Sequence, residues 1–373
     1  MVRANPRIDD QPEGFRDVIG RTLDDVPTPA LVLDLAAARR NIETMAVRMD
    51  AMPAGLRPHI KAHKSAELAR MQLEAGALGV TTATVAEAVA MARSGVPDIL
   101  VANQVVHPAS IAWLLTAARD ARVRVAVDDA DNLASLGAAA VEAGAGLGVL
   151  VELDVGLGRG GARSVPEAVA LAKRAANTPG VTFDGLMGYE GHVASEPDPD
   201  ARTRGTLLSM GLLAEAVEAC RRDALTVSTV SGGSTGTCAI TGNAAELTEV
   251  QAGSYALMDR FHAPLIDGFA FALTVMATVI GRHGDLVVVD AGRKSMEVEL
   301  RPPMGPNPDA HLAFANEEHM GFRIEGGAPG LGEHVRLVPG YAPTTVNLFG
   351  SYLVVEGERI VDVWPVLARH GTP

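Results

Sequence analysis

The stretch GVTTATVAEAVAMARSGVPDILVANQ, residues 79–104, holds the pattern that decides the fold. Its two ends, 79–84 and 98–104, are short apolar runs that end in polar residues, as buried strands do. The segment between them, 85–95, has apolar residues at spacings of three and four and closes on a glycine, which predicts an amphipathic helix. A strand, a helix and a second strand in this order predict a parallel sheet.

The same alternation of strand and helix recurs from residue 28 onward. The predicted strands are PALVLDL (29–35), LRPHIK (56–61), GVTTAT (79–84), DILVANQ (98–104), RVRVAVD (122–128), GVLVELDVG (148–156), TFDGLMGYE (182–190) and LTVSTVSGG (225–233). Eight such units favour an α/β fold of the (β/α)8 TIM-barrel type. A doubly wound sheet is the alternative, although it normally has fewer strands.

The pattern changes near residue 270. Short strand-like runs then follow one another between Gly, Pro, Asn and Asp turns, and helical periodicity nearly disappears. We therefore predict three parts: an N-terminal arm (1–25), a barrel (26–268) and a C-terminal all-β domain (269–373).

Composition excludes several functions. The 373 residues include 32 basic and 45 acidic ones, a net charge of −13 that argues against nucleic acid as a partner. Two cysteines cannot form a disulfide framework or a cysteine-rich zinc site. We also expect no membrane span, because no run of about 18 apolar residues occurs. The first twenty residues have no apolar core typical of a signal peptide, so we expect a cytoplasmic protein.

Lys61 is the first candidate for chemistry. Alternation along the predicted strand puts Lys61, with Arg57 and His59, on the face that points into the barrel. Burial lowers the pKa of an amine, and a neutral amine can form a Schiff base with a carbonyl. Alternatively, Lys61 reaches the rim or pairs with a carboxylate. Lys64, at the start of the next helix, is a weaker candidate.

A glycine-rich turn, Ser231-Gly232-Gly233-Ser234-Thr235, ends the eighth predicted strand. Such turns let backbone N–H groups approach a phosphate, although the segment could also be a plain turn. Gly253-Ser254, before Tyr255, could complete the cradle. A Schiff-base lysine and a phosphate cradle on one rim suggest pyridoxal phosphate.

Several motifs together resemble fold-type III pyridoxal phosphate enzymes of the D-threonine aldolase and D-serine dehydratase group. They are RPHIKAHKS (57–65), LDVGLGRGG (153–161), DGLMGYEGH (184–192), VSGGST (230–235), TEVQAGSYALMD (248–259), EEHMGF (317–322) and LVPGYAPTTVNL (337–348). The resemblance implies an alanine-racemase-like barrel with a β domain, an amino-acid substrate and a homodimer.

The resemblance also implies roles for single residues. Lys61 matches the lysine that carries the cofactor, Arg159 an arginine near its phenolic oxygen, and Tyr189 a tyrosine close to its ring. The predicted cofactor-binding residues are Lys61, His59, Arg159, Tyr189, Ser231, Gly232, Gly233, Ser234, Gly253, Ser254 and Tyr255.

The chain departs from this group at a pair of metal ligands. The group has a His-x-Asp or His-x-Cys pair where this chain has Tyr341 and Pro343. Proline has no side-chain donor atom, and a neutral tyrosine is a poor ligand for a divalent ion. We therefore expect no metal, so that His192 or His319 would act directly as a base.

The resemblance implies a lyase, an aldolase or dehydratase, that acts on a D-configured β-hydroxy amino acid. One alternative is an amino-acid racemase or epimerase with Lys61 and Tyr341 as its two acid/base groups. A second is a non-catalytic pyridoxal phosphate-binding protein. The predicted catalytic residues are Lys61, His192, His319 and Tyr341.

Overall fold

The computed structural model describes residues 17–369. Its strands are β1 (Ala30–Asp34), β2 (Gly55–Leu56), β3 (Val80–Thr82), β4 (Asp98–Gln104), β5 (Arg122–Val127), β6 (Leu147–Glu152), β7 (Val181–Gly188), β8 (Thr229–Gly232), β9 (Glu249–Val250), β10 (Leu273–His283), β11 (Leu286–Val289), β12 (His311–Ala315), β13 (Met320–Arg323), β14 (His334–Leu337), β15 (Ser351–Glu356) and β16 (Arg359–Pro365). The α-helices are α1 (Leu35–Asp50), α2 (Ala66–Glu74), α3 (Val85–Arg93), α4 (Pro108–Ala117), α5 (Ala130–Ala143), α6 (Val165–Ala176), α7 (Pro199–Arg222), α8 (Cys238–Thr241) and α9 (Ala342–Asn347).

The chain divides into two compact units that are not contiguous in sequence. The barrel unit consists of residues 42–61 and 68–253. The β unit consists, within the described residues, of 17–41, 62–67 and 254–369.

The barrel unit is built on one parallel sheet of eight strands, in the order β2-β9-β8-β7-β6-β5-β4-β3. The two edge strands meet, because the N–H of Thr81 donates to Pro58 O over 2.8 Å and His59 bridges Thr81 in parallel. Leu100, Ala126, Leu150 and Met187, from four successive strands, form a fully buried layer in this sheet. Helices alternate with these strands, which confirms the predicted α/β barrel with a separate sheet domain.

Local capping explains where the helices start. Thr84 begins α3 with a capping box: its Oγ1 accepts from the N–H of Glu87 over 3.2 Å, and the Glu87 carboxylate accepts from the N–H of Thr84 over 3.3 Å. Asp129 caps α5, which ends on Gly144 in the left-handed conformation at φ 60°.

One strand of the predicted barrel was assigned to the wrong sheet. PALVLDL (29–35) becomes β1, which pairs with β10 and β15 of the β unit. Its place in the barrel is taken by β9, the two-residue strand Glu249–Val250, which pairs with β2 and β8. A buried apolar strand is hydrophobic on both faces in either sheet, so its composition does not select the partner.

The β unit is built on a sheet of eight strands in the order β12-β13-β11-β10-β1-β15-β16, with β14 paired to β10. β1 runs antiparallel to β10 and parallel to β15. The part of the predicted N-terminal arm that the structure describes is docked on this sheet: Val18 and Leu23 are buried in its core, and the N–H of Gly20 donates to Ile360 O. Residues 1–16 of that arm lie outside the described residues.

Within residues 17–369, no helix is long and apolar enough to cross a membrane.

Candidate active site

Lys61 lies in a 3-10 turn, Ile60–Ala62, just after the short strand β2. The predicted strand alternation therefore stops before Lys61 and does not explain its orientation. Burial is the main cause that lowers the pKa of its amine, and the nearby cation of Arg159 lowers it further. Glu87 acts in the opposite direction. The barrel unit thus holds a partly buried amine that loses its proton more readily than an ordinary lysine.

Arg159 lies between a carboxylate and an aromatic ring. Its Nη2 is 3.7 Å from Oε1 of Glu152, and its guanidinium carbon is 5.5 Å from the centroid of the Tyr189 ring. Glu152 is buried and accepts a short hydrogen bond from Nε2 of Gln104. Burial, the largest effect, raises the pKa of Glu152, while the Gln104 hydrogen bond and Arg159 lower it. Arg159 was expected to match a cofactor contact, and the structure places it beside both Lys61 and Tyr189.

The loop that carries Arg159 is shaped by Asp154. Its Oδ1 accepts from the N–H groups of Gly156 and Gly158, over 3.0 and 2.9 Å, and its Oδ2 pairs with Arg163. These hydrogen bonds outweigh a desolvation effect of opposite sign and lower the pKa of Asp154. Asp154 therefore connects the start of this loop with Gly156, Gly158 and Arg163 through hydrogen bonds.

The predicted phosphate turn begins at the end of β8. Gly233 has φ +83°, and a Cβ there would lie 2.9 Å from Cγ1 of Val250. A Cβ at Gly232 would lie 2.5 Å from the carbonyl oxygen of Gly188. Only glycine fits both positions, because a Cβ there would clash with the neighbouring backbone of β7 and with the Val250 side chain of β9.

The buried carboxylate of Glu190 forms hydrogen bonds to this turn and to the helix that follows it. Oε2 of Glu190 accepts from the N–H of Gly233 over 3.1 Å, while Oε1 accepts from the hydroxyls of Thr237 and Thr241 over 2.6 and 2.7 Å. Glu190 has no exposed surface. Three donors therefore satisfy a carboxylate that would otherwise be costly to bury.

One polar atom of the turn fits a phosphate. The hydroxyl of Thr235 is buried and has no hydrogen-bond partner among the described residues. Ser234, its neighbour, has its hydroxyl 3.0 Å from that of Thr237, and Ser231 accepts from Nε2 of Gln251 over 2.8 Å. A buried hydroxyl normally has a hydrogen-bond partner, and a phosphate oxygen of a bound ligand would supply one for the Thr235 hydroxyl.

The remaining predicted cofactor residues fall in both units. His59 and Gly253 adjoin each other in the barrel unit, since a Cβ at Gly253 would lie 2.2 Å from the carbonyl oxygen of His59. Ser254 and Tyr255 lie in a 3-10 turn of the β unit, where the buried Tyr255 ring packs 5.9 Å from that of Phe269.

The two histidines predicted as bases lie in different places. His192 is exposed in the barrel unit, and a Cβ at Gly156 would lie 2.7 Å from its Cε1. His319 is exposed in the turn between β12 and β13 of the β unit, where its carbonyl accepts from the N–H of Asn316. Among the described hydrogen bonds, none involves the ring of His192 or His319. Their catalytic roles stay predictions.

Tyr341, the third predicted acid/base residue, precedes α9 in the β unit. Its ring is stacked on that of His262, with centroids 5.6 Å apart and planes 22° apart. Nδ1 of His262 lies 2.8 Å from Oδ1 of Asp259, which is fully buried. Tyr341 is therefore part of an aromatic and acid–base cluster that its sequence position alone did not reveal.

Four residues of these sites escaped the sequence reasoning: Glu152, Glu190, Asp259 and His262. Glu190 ends predicted strand seven, and that position could have indicated it, whereas Glu152 lies in the middle of predicted strand six and ends only the observed strand β6. Asp259 and His262 are three residues apart, a spacing that places two side chains on one side of a turn.

Two family models match the chain. The alanine racemase N-terminal domain matches residues 33–260, more than half of the chain, and a serine dehydratase domain matches residues 272–355.

Three relatives match nearly the whole length. A D-threonine aldolase from Arthrobacter sp is 39% identical over 94% of each chain. The crystal structure of a D-threonine aldolase from Filomicrobium marinum superposes with a TM-score of 0.91 at 34% identity, covering 94% of this chain and 98% of that one. A D-threo-3-hydroxyaspartate dehydratase from Delftia sp. HT23 has a TM-score of 0.84 at 30% identity, covering 93% and 99%. The chain therefore belongs to the alanine racemase N-terminal domain family, within the group that includes D-threonine aldolase.

Proposed function

We propose that this protein is a pyridoxal phosphate-dependent lyase that acts on a D-configured β-hydroxy amino acid. The observation that carries the proposal is the partly buried amine of Lys61, whose pKa is lowered by desolvation and by Arg159. The names of the relatives, two aldolases and a dehydratase, support the lyase class and the substrate class.

The residues of the barrel unit fit the cofactor. Pyridoxal phosphate, when bound, withdraws electrons from the α-carbon of an attached amino acid. Lys61 would hold its aldehyde group, because a lysine with a lowered pKa is more readily neutral. The turn at 231–235, with the unpartnered hydroxyl of Thr235, would hold its phosphate.

Neighbouring side chains would then orient these groups. Arg159 keeps a positive charge beside Lys61 and over the face of Tyr189, and so would bind a negatively charged oxygen of a ligand there. The carboxylate of the buried Glu152 lies 3.7 Å from Nη2 of Arg159 and partly balances its charge. Lys61, once freed from the aldehyde, is the amine that can take or return a proton at the α-carbon.

We also propose that the reaction needs no divalent metal at residues 341–343. Pro343 offers no donor atom, and Tyr341 is stacked on an imidazole. Within residues 17–369, no group of three or more His, Cys, Asp or Glu side chains is arranged to hold a metal ion. Tyr341 and Pro343 therefore do not fit a divalent ion.

We also propose that the protein is a homodimer, as the family resemblance implies. Light scattering of the purified holoprotein would test it, since a monomer at working concentrations would contradict it.

Product analysis tests the proposed function. The cofactor-loaded protein is incubated with D-threonine, D-serine and D-phenylserine, each with and without chelator. Release of glycine and an aldehyde identifies cleavage, and release of a keto acid and ammonia identifies dehydration. Inversion at the α-carbon without fragments would identify a racemase, and no reaction with any β-hydroxy amino acid would contradict the lyase assignment.

A further inference from the structure

Glu152, the last residue of β6, contacts the loop that follows this strand in two places. Its carbonyl oxygen accepts from the N–H of Ala162 over 2.8 Å, and the carbonyl of Ala162 accepts from the N–H of Asp154 over 3.0 Å. Its carboxylate oxygen Oε1 lies 3.7 Å from Nη2 of Arg159. One residue of the barrel sheet therefore contacts both the end of the loop and the guanidinium that the loop carries.

The Arg159 side chain has few contacts that fix its position. It is 56% exposed, and within residues 17–369 its one ion pair is with Glu152. Its other described contact is the face of the Tyr189 ring, whose centroid is 5.5 Å from the guanidinium carbon. A long side chain loses conformational entropy when it stays in one rotamer, so an attraction must offset that loss. The carboxylate of Glu152 supplies the electrostatic part of this attraction.

Gln104, the last residue of β4, contacts the same carboxylate from a neighbouring element of the barrel unit. Its Nε2 donates a short hydrogen bond to Oε2 of Glu152, while Oε1 is the oxygen nearest to Arg159. Burial, the largest effect, raises the pKa of Glu152, and the carboxylates of Asp128 and Asp154 also raise it. The Gln104 hydrogen bond and Arg159 lower it. Gln104 therefore favours the negative charge that attracts Arg159.

The position of Arg159 matters because its charge acts on Lys61. After desolvation, Arg159 is the main cause that lowers the pKa of this lysine, and Glu87 raises it. The effect of one charge on another decreases with their separation. An Arg159 side chain that turned towards solvent would therefore leave Lys61 with a higher pKa.

We propose that Glu152 and Gln104 are positioning residues of the candidate site. The carboxylate of Glu152 keeps the Arg159 guanidinium beside Lys61 and over Tyr189, and the amide of Gln104 keeps that carboxylate in place and ionised. The inference rests on the proposed function, in which Lys61 and Arg159 contact the cofactor. The alternative is that Glu152 only balances the charge of an arginine that the loop itself positions. These two roles of Glu152 cause opposite changes at Lys61.

Competitive acetylation of the full-length apoprotein measures these changes without the cofactor. The protein is treated with a trace of acetic anhydride at a series of pH values, and mass spectrometry of the digest gives the modified fraction of Lys61. Only a neutral amine reacts, so the midpoint of this profile reports the pKa of Lys61. We expect Glu152→Gln to move the midpoint to higher pH, because Arg159 then moves away from Lys61. If Glu152 only balanced the charge of Arg159, the midpoint would move to lower pH.

Two further variants test the same route. Gln104→Leu removes the donor to Glu152 and favours its neutral form, so the midpoint should also move to higher pH, by less than in Glu152→Gln. The double variant Glu152→Gln/Arg159→Gln should have the midpoint of Arg159→Gln alone, because Glu152 acts through Arg159. A purely structural role of Glu152 would not give this agreement.

The matched control is Asp223→Asn. It also removes one negative charge from the barrel unit, but Asp223 pairs with Lys173 at 2.7 Å where both side chains are at least 40% exposed. The Lys61 midpoint should stay at the wild-type value in this control.

A midpoint in Glu152→Gln that falls or does not change, including a Lys61 that stays unmodified at every pH, would overturn the inference. A double variant that shifts further than Arg159→Gln would also overturn it. The proposed function is tested separately: if the expected shifts occur but the protein does not bind pyridoxal phosphate, the proposed function is wrong, while the action of Glu152 on Lys61 through Arg159 stands.

Discussion

Oε2 of Glu190 lies 3.1 Å from the backbone nitrogen of Gly233, so a buried carboxylate holds the turn that we assign to phosphate. Glu190→Gln should weaken this support, because an amide has one acceptor oxygen for the three donors around it. A buried donor left without a partner costs about 1–3 kcal/mol. We expect the apoprotein to lose that much unfolding free energy and its affinity for pyridoxal phosphate to fall, as measured by urea unfolding and fluorescence titration.

The control for this variant is Glu218→Gln. The Glu218 side chain is 55% exposed and pairs only with Arg221 among the described ion pairs, so both measurements should stay near the wild type. If Glu190→Gln bound the cofactor as tightly as the wild type, Glu190 would not be a support of the phosphate site.

The pKa of Lys61 makes attachment of the cofactor depend on pH. Only the neutral amine reacts, so the rate of attachment to apoprotein should rise with pH and level off at a pH below the usual lysine value of 10.5. Arg159 lowers this pKa and Glu87 raises it. Arg159→Gln should therefore move the midpoint of the rate profile to higher pH, and Glu87→Gln should move it to lower pH. Stopped-flow absorbance at a series of pH values measures both shifts.

Shifts of the pH midpoint in opposite directions in these two variants would distinguish an electrostatic effect on Lys61 from a general structural disturbance. Both substitutions disturb local structure, but only electrostatic coupling to Lys61 predicts shifts of opposite sign. Midpoints that move in the same direction, or that do not move, would show that neither group sets the pKa of Lys61.

A network of buried ion pairs closes the barrel at the start of its strands. Arg57, whose side chain is 2% exposed, contacts Oε2 of Glu249 at 2.8 Å and Oδ1 of Asp98 at 2.6 Å. Arg124 contacts Asp98 and Asp184, each at 2.8 Å. Arg57→Met leaves Glu249 buried without its cation, which typically costs about 3–5 kcal/mol. Chemical denaturation of the apoprotein should show a loss of this size.

Lys173→Met provides the comparison for Arg57→Met. Lys173 and Asp223 also form an ion pair, at 2.7 Å, but their side chains are 52% and 40% exposed. Water already screens such a pair, so its loss should change the unfolding free energy by about 1 kcal/mol or less. Equal effects of the two substitutions would mean that burial does not strengthen the network around Arg57.

The barrel could be predicted from the sequence because each βα unit repeats the same local pattern. The exceptions have a physical reason. β9 has two residues, Glu249–Val250, too few to show any periodicity. β1 has the composition of a buried strand, but its partner β15 lies some 320 residues further along the chain, and local sequence does not encode such a pairing.

The candidate site was predictable where the chemistry is local. Lys61 and the turn at 231–235 stand out by residue type and position, even though Lys61 lies in a 3-10 turn and not on a strand. The acid–base cluster was not predictable, because Asp259 reaches Ala342 across 83 positions. Only the folded chain shows that Tyr341 stacks on His262 and that Asp259 is hydrogen-bonded to this histidine.

The most direct test of the account is to locate the attachment point of the cofactor. The protein is loaded with pyridoxal phosphate, reduced with borohydride, digested and sequenced by mass spectrometry. Lys64 is an internal control, because its Nζ donates to the carbonyl of Ala368 over 3.1 Å in the β unit. We expect one pyridoxyl group per chain, on Lys61. A label on Lys64 or on surface lysines, with Lys61 unmodified, would contradict it.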